Sequence, residues 1–205
     1  MGFSLLETMR LERGRAVRRD RHVARAAAAA ATLGFAWNAV GIRAALDAVE
    51  AAHPDGVWRT RLLVARSGEA TVECAPLAHD PSRVWRVALA GEPVSSGDRS
   101  LRVKTTRRDV YERAKAPRAD LDDVLLWNER GEITESTIAN VVAEIDGVRV
   151  TPPLTCGLLP GVFRELLLET GAIQEGAITR AGLASANQLW LINSLREWIP
   201  ATLEP

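Results

Sequence analysis

Lys104 is a residue that could do covalent chemistry. It stands in LRVKTTRRDVYERAKA, residues 101–116, at the end of a short strand-like run. Two threonines and a helical stretch follow. A lysine is a nucleophile only when neutral, so it must be desolvated or set beside other cations. Arg107 and Arg108 meet the second condition. The ordinary alternative is a solvated lysine, and this segment alone favours it. Tyr111, the only tyrosine, lies on the helix that follows and could face the same pocket. Glu135 comes after a strand-like run and before Ser136, Thr137 and Asn140 in GEITESTIAN. Such a carboxylate could bond a ring nitrogen, although a solvent-facing turn acid is the commoner role.

Three more positions could hold an anion. Gly161 in GLLPGVFREL opens a helix, and N–H groups at a helix N-terminus bind phosphate with help from the dipole. Ser194 in INSLRE follows a buried strand, where a hydroxyl can reach an anion or cap a loop. Arg25 lies on an early helix and could grip a phosphate through two parallel hydrogen bonds. The run from Arg10 to Arg25 holds seven arginines, but also Glu12 and Asp20 and no interleaved aromatics, so it reads mostly as a solvated face. His22 reads as a structural or capping histidine.

The elements that must position these residues are mostly legible. FSLLETMRLERGRAVRR predicts two strands turning at Arg13-Gly14. DRHVARAAAAAATLGF predicts a helix capped by Asp20, ended by Gly34, with Ala26–Ala31 as a close-packed face. AVGIRAALDAVEAAH predicts a second helix. VWRTRLLVARSGEATVECAPL predicts two strands turning at Ser67-Gly68. AGEPVSSGDRS reads as a linker over 91–100, between a small α/β domain at 1–90 and a larger one at 101–205 rich in β-hairpins. In the second domain a strand leads to Lys104, and hairpins turn near Arg130-Gly131 and at Asp146-Gly147. LLPGVFRELLLETGA predicts a helix with Phe163, Leu166 and Leu167 on one face and Gly171 as its stop. Leu189–Ile192 predicts a buried strand followed by a loop.

Composition removes several classes of function. Lys+Arg and Asp+Glu both number 26, so net charge argues against a nucleic-acid or anionic-membrane partner. Cys74 and Cys156, the two cysteines, are far apart and form no CxxC, so neither a disulfide framework nor a zinc site is expected; a reducing, cytoplasmic setting fits. No apolar run approaches the roughly 18 residues of a membrane span, and the start has no signal-peptide pattern.

In series, these segments resemble the class IV, fold-type IV pyridoxal-phosphate enzymes: branched-chain and D-amino acid aminotransferases and 4-amino-4-deoxychorismate lyases. The residues that carry the resemblance are LLETMR with RHVARAAAAAATLGF, then KTTRRDVYERA, DDVLLWNERGEITESTIANVV, TPPLTCGLLPGVFRE and LWLINSLREWIPA. The resemblance implies an α+β fold of two domains and pyridoxal 5′-phosphate as cofactor. Lys104 matches the lysine that bonds the cofactor covalently, and Glu135 the acid on its pyridine nitrogen. Arg25, the N–H groups of Val162 and Phe163, and Ser194 match the phosphate cradle. Tyr111 resembles a tyrosine near the cofactor, and Asn140 matches a residue that supports the Glu135 loop. Arg61 and Arg196 are the matching candidates for substrate carboxylates. TTRRDVYERA, LLWNERGEITESTIAN and INSLRE look most like the lyase branch, in particular lyase domains fused behind aminodeoxychorismate synthase. The implied reaction yields 4-aminobenzoate and pyruvate, for folate synthesis. The family implies a homodimer and a small-molecule substrate. Its members usually carry a further strand ahead of the Glu-Thr motif; here the chain starts at Gly2-Phe3, and that strand is expected to be missing or supplied otherwise.

Overall fold

The computed structural model describes residues 2–78 and 80–204. By contacts the chain divides into two compact units, Met1–His79 with Lys104–Arg107, and Asp80–Val103 with Arg108–Pro205.

The first unit is a four-stranded antiparallel sheet with two helices. Strands β1 (Leu5–Glu12), β2 (Arg15–Ala16), β3 (Val57–Val64) and β4 (Ala70–Pro76) run in the order β2-β1-β3-β4. Arg13 and Gly14 both take positive φ, 52° and 68°, so the first hairpin turns where expected. Helix α1 (Arg19–Leu33) buries His22, Ala26, Ala29 and Ala30, a spacing that keeps one face on the sheet. Small side chains let that face pack closely. Gly34, at φ 68°, ends the helix as expected. Asp20 is not its cap: the cap position is Arg18, with no capping side chain, and Asp20 lies in the first turn, where its charge faces the positive end of the dipole. Helix α2 (Ala39–Ala52) is capped by Asn38, whose side chain accepts the Gly41 N–H.

The second unit is an eight-stranded mixed sheet. It is built from β5 (Trp85–Leu89), β6 (Asp123–Trp127), β7 (Ile133–Ser136), β8 (Asn140–Ile145), β9 (Val148–Thr151), β10 (Gln174–Glu175), β11 (Gln188–Asn193) and β12 (Glu197–Leu203). Helices α3 (Asp109–Lys115), α4 (Val162–Glu169) and α5 (Arg180–Ala184) complete it. Period-two alternation builds two cores. Val141, Ala143, Leu189 and Leu191 pack with Ile178 and Leu183, while Val142, Trp190 and Ile192 pack with Phe163 and Leu167 of α4.

Three sequence expectations change. The division falls near residue 80 rather than over 91–100, because β5 pairs with β6 and β12 of the larger sheet, and Val94 bridges to Asn128. The strand-like run before Lys104 is a 3-10 turn at Arg99–Arg102, since the Asp98 side chain accepts the Ser100 N–H and starts a helical turn. The loop after Ile192 is a hairpin into β12; Pro200 hid that strand, because a proline argues against a paired strand.

Candidate active site

In the second unit, a buried carboxylate anchors the site. Glu135, 4% exposed, accepts the Tyr111 hydroxyl on Oε1 at 2.8 Å and the Leu159 N–H on Oε2 at 3.2 Å. Burial and the adjacent Glu135 charge push the Tyr111 phenol far above its ordinary value, so it stays a donor. Asn140 is the cross-strand partner of Glu135, and its Nδ2 donates to the Leu159 carbonyl at 2.9 Å. Leu159 is therefore held at both ends, by Glu135 and by Asn140. Two residues later, Gly161 opens α4. A Cβ there would fall 2.0 Å from the Asn140 Oδ1, so only glycine allows the amide this close. No side chain caps α4, whose first residues are Val162 and Phe163. The β11 register pairs Ile192 with Asn140, and the buried Ser194 stands just beyond β11 in the turn to β12. Glu135, Tyr111, Asn140 and the start of α4 thus meet in one place.

Lys104, Arg25 and Arg61 belong to the first unit. The Lys104 segment adds to the start of β1: the Lys104 carbonyl accepts the Leu6 N–H at 3.0 Å and Thr105 bridges Leu5. The Ser4 N–H donates to the Thr106 hydroxyl at 3.0 Å, so both threonines after the lysine fix its backbone. Arg25 forks onto Glu7, with Nε at 2.9 Å from Oε1 and a terminal nitrogen at 2.5 Å from Oε2. His22 Nδ1 meets the same carboxylate at 2.7 Å. Burial pushes the Glu7 carboxyl up, but the Arg25 charge and the bonds from His22 and Arg25 outweigh that and hold it at about 2. Burial moves His22 below its ordinary value, against the pull of Glu7. Glu7 was not singled out by sequence reasoning. The available signal was its place in LLETMR opposite the RHVAR helix, a polar residue in an apolar strand.

The two carboxylate candidates differ in their surroundings. Arg61 pairs with Glu73 of β4 at 3.1 Å, with both side chains partly exposed. Arg196 lies over the Trp85 ring, 5.7 Å from its centroid, and its N–H donates to Asn193 Oδ1. Among the described residues there is no group of three or more metal-ligating side chains, and no helix is long and apolar enough to cross a membrane.

The residues present fit pyridoxal phosphate: a buried carboxylate for a ring nitrogen and an uncapped helix start behind an obligatory glycine for a phosphate. Comparison with known proteins agrees. A fission-yeast protein (Schizosaccharomyces pombe) provisionally named as an aminodeoxychorismate lyase is 32% identical over 185 residues, which is 86% of this chain and 79% of that one. A crystal structure from Mesorhizobium loti, provisionally named as an amino-acid aminotransferase, is 43% identical, with a TM-score of 0.93 over 98% of this chain and all of that one. A Legionella pneumophila structure provisionally named as a 4-amino-4-deoxychorismate lyase shares the fold at a TM-score of 0.85 and 19% identity, over 98% of this chain and 83% of that one. With class IV aminotransferases matching residues 4–203, the chain belongs to that family of pyridoxal-phosphate enzymes.

Proposed function

We propose that the chain is a 4-amino-4-deoxychorismate lyase, forming 4-aminobenzoate and pyruvate for folate biosynthesis. The observation that carries the cofactor chemistry is the buried Glu135, oriented by Tyr111 and Leu159. The reaction class is supported by the fission-yeast relative and by Asn193-Ser194, where aminotransferases usually carry Gly-Thr.

When bound, pyridoxal phosphate supplies an electron sink for charge developing on the substrate. Lys104 would hold it covalently. Glu135 would keep a proton on the ring nitrogen. Arg25, the N–H groups of Val162 and Phe163, and Ser194 would hold the phosphate, with Asn140 supporting the Glu135 loop. Lys104 Nζ, when neutral, would take the proton from the substrate carbon that bears nitrogen. Returned by Lys104 to the oxygen of the breaking C–O bond, that proton would let pyruvate depart as its enol while the ring becomes aromatic. Substrate atoms are conserved between the two products, so no amino acceptor is required. Arg61 and Arg196 would receive substrate carboxylates. A homodimer, a cytoplasmic location and a functional link to aminodeoxychorismate synthase belong to the same proposal, on the family resemblance.

The second reading is an aminotransferase acting on branched-chain or D-amino acids. The 43% identity to the Mesorhizobium loti protein favours it. Incubation of the purified protein with aminodeoxychorismate, without a keto acid, separates the two. Fluorescent aminobenzoate is the expected product. Amino transfer to an added keto acid with no aromatic product would overturn the lyase.

A further inference from the structure

Asp123 opens β6 and is 1% exposed. Its Oδ1 accepts the Thr137 hydroxyl at 2.6 Å and the Val124 N–H at 2.9 Å. Its Oδ2 is buried with no hydrogen-bond partner. A half-satisfied buried carboxylate is costly, so packing alone does not account for it. What Asp123 does is pin Thr137 in the loop between β7 and β8. The Thr137 carbonyl in turn accepts a guanidinium N–H of Arg108 at 2.7 Å. That guanidinium lies over the Tyr111 ring, 4.9 Å from its centroid. Tyr111 donates to Glu135. Every link lies within the second unit.

We propose that Asp123, Thr137 and Arg108 are positioning residues that hold Tyr111 as a hydroxyl donor on Glu135. The consequence for catalysis rests on the reading of Glu135 as partner of the ring nitrogen. The terminal torsion of a glutamate is broad, so a carboxylate without a fixed donor rotates easily. The Leu159 N–H holds Oε2, and Tyr111 holds Oε1 only while its ring is held. Arg108 packs on the face of the ring and is tied by Thr137, and Asp123 ties Thr137. Arg108 is the natural residue for this task, because its planar guanidinium can stack and donate at once.

Tyr111 is the only tyrosine, so the near-ultraviolet phenolate band belongs to it alone. Glu135, Arg108 and Asp98 act on it: Glu135 and Asp98 raise its ionisation point and Arg108 lowers it. An Arg108 that acted only as a charge would, on removal, make phenolate harder to form. A positioning Arg108 has the opposite effect, because a loosened ring is reached by water. The test titrates the full chain, with and without pyridoxal phosphate, as Arg108→Met, Thr137→Val and Thr137→Ser. The parent and Thr137→Ser, which keeps the hydroxyl, are expected to show no phenolate before alkaline unfolding. Arg108→Met and Thr137→Val are expected to show it earlier and to bind pyridoxal phosphate about tenfold more weakly, or about 1.4 kcal/mol. Silence of the phenolate band in Arg108→Met overturns the proposal, and this variant decides alone if Thr137→Val does not fold. Phenolate without any loss of cofactor affinity supports the positioning role and counts against the ring-nitrogen reading of Glu135.

Discussion

The two units each bury a glutamate, and they treat it differently. Glu7 is met by charge: Arg25 bonds both of its oxygens and His22 bonds one. Glu135 is met in its own unit by a phenol and a backbone N–H. A charged fork locks a carboxylate into the fold, and removing one partner of such a pair strands the other. Neutral donors such as these orient a carboxylate without cancelling its charge, and the proposed function assigns that charge to a protonated ring. The same residue type is thus held by a charged fork in one unit and by neutral donors in the other.

Four substitutions test this contrast. The largest effect is expected from Lys104→Ala, which removes the proposed nucleophile but keeps the carbonyl that Leu6 bonds. Turnover should fall about 10⁴-fold or more, with the unfolding temperature little changed. Preserved turnover would defeat the assignment. Glu135→Gln keeps size and an acceptor for Tyr111 but removes the charge. Turnover should fall by about a hundredfold or more, the range of one preorganised electrostatic partner, while urea unfolding moves little. A large loss of stability instead would make Glu135 a strut like Glu7.

Glu7→Gln should show the converse, costing about 3 kcal/mol in urea unfolding because Arg25 loses its buried partner. The pH dependence sharpens this. The Glu7 carboxyl is depressed from 4.5 to about 2, so its contribution is present above pH 4.5 and is lost as pH falls towards 2. The parent should lose about 3 kcal/mol across that window. Glu7→Gln should lose clearly less there; equal losses would show that other acids dominate. The smallest stability effect is expected from Arg61→Ala, whose pair with Glu73 is partly exposed and worth up to about 1 kcal/mol. If Arg61 receives a substrate carboxylate, KM rises in that variant with kcat nearly kept; an unchanged KM removes it from that role.

Local chemistry made much of this readable in advance. Arg13-Gly14 and Asp146-Gly147 are turn pairs whose positive φ values the structure contains, and Gly34 ends α1 for the same reason. The alternation in VVA and LWLI foretold strands with two covered faces. Glu135 stood out as a carboxylate after a strand-like run and before small polar residues, and Tyr111 as the only tyrosine, on the helix after Lys104. The hidden features depend on partners distant in sequence. β5 joins the larger sheet through pairing with β12, more than a hundred residues later. Pro200 is tolerated in β12 because pairing with β5 starts only at Ala201, so at Pro200 the strand has a paired neighbour on the β11 side alone. The fork from Arg25 to Glu7 is invisible until α1 lies across β1.

Composition, periodicity and turn chemistry were enough to place four of the five described α-helices, most strands and a short roster of candidate side chains, because those depend on residues a few positions apart; α5 was not foreseen. How each buried carboxylate is held was settled by folding. That outcome rests on which donor, guanidinium or phenol, the distant chain brings within hydrogen-bond reach, and on how thoroughly water is kept from the pair.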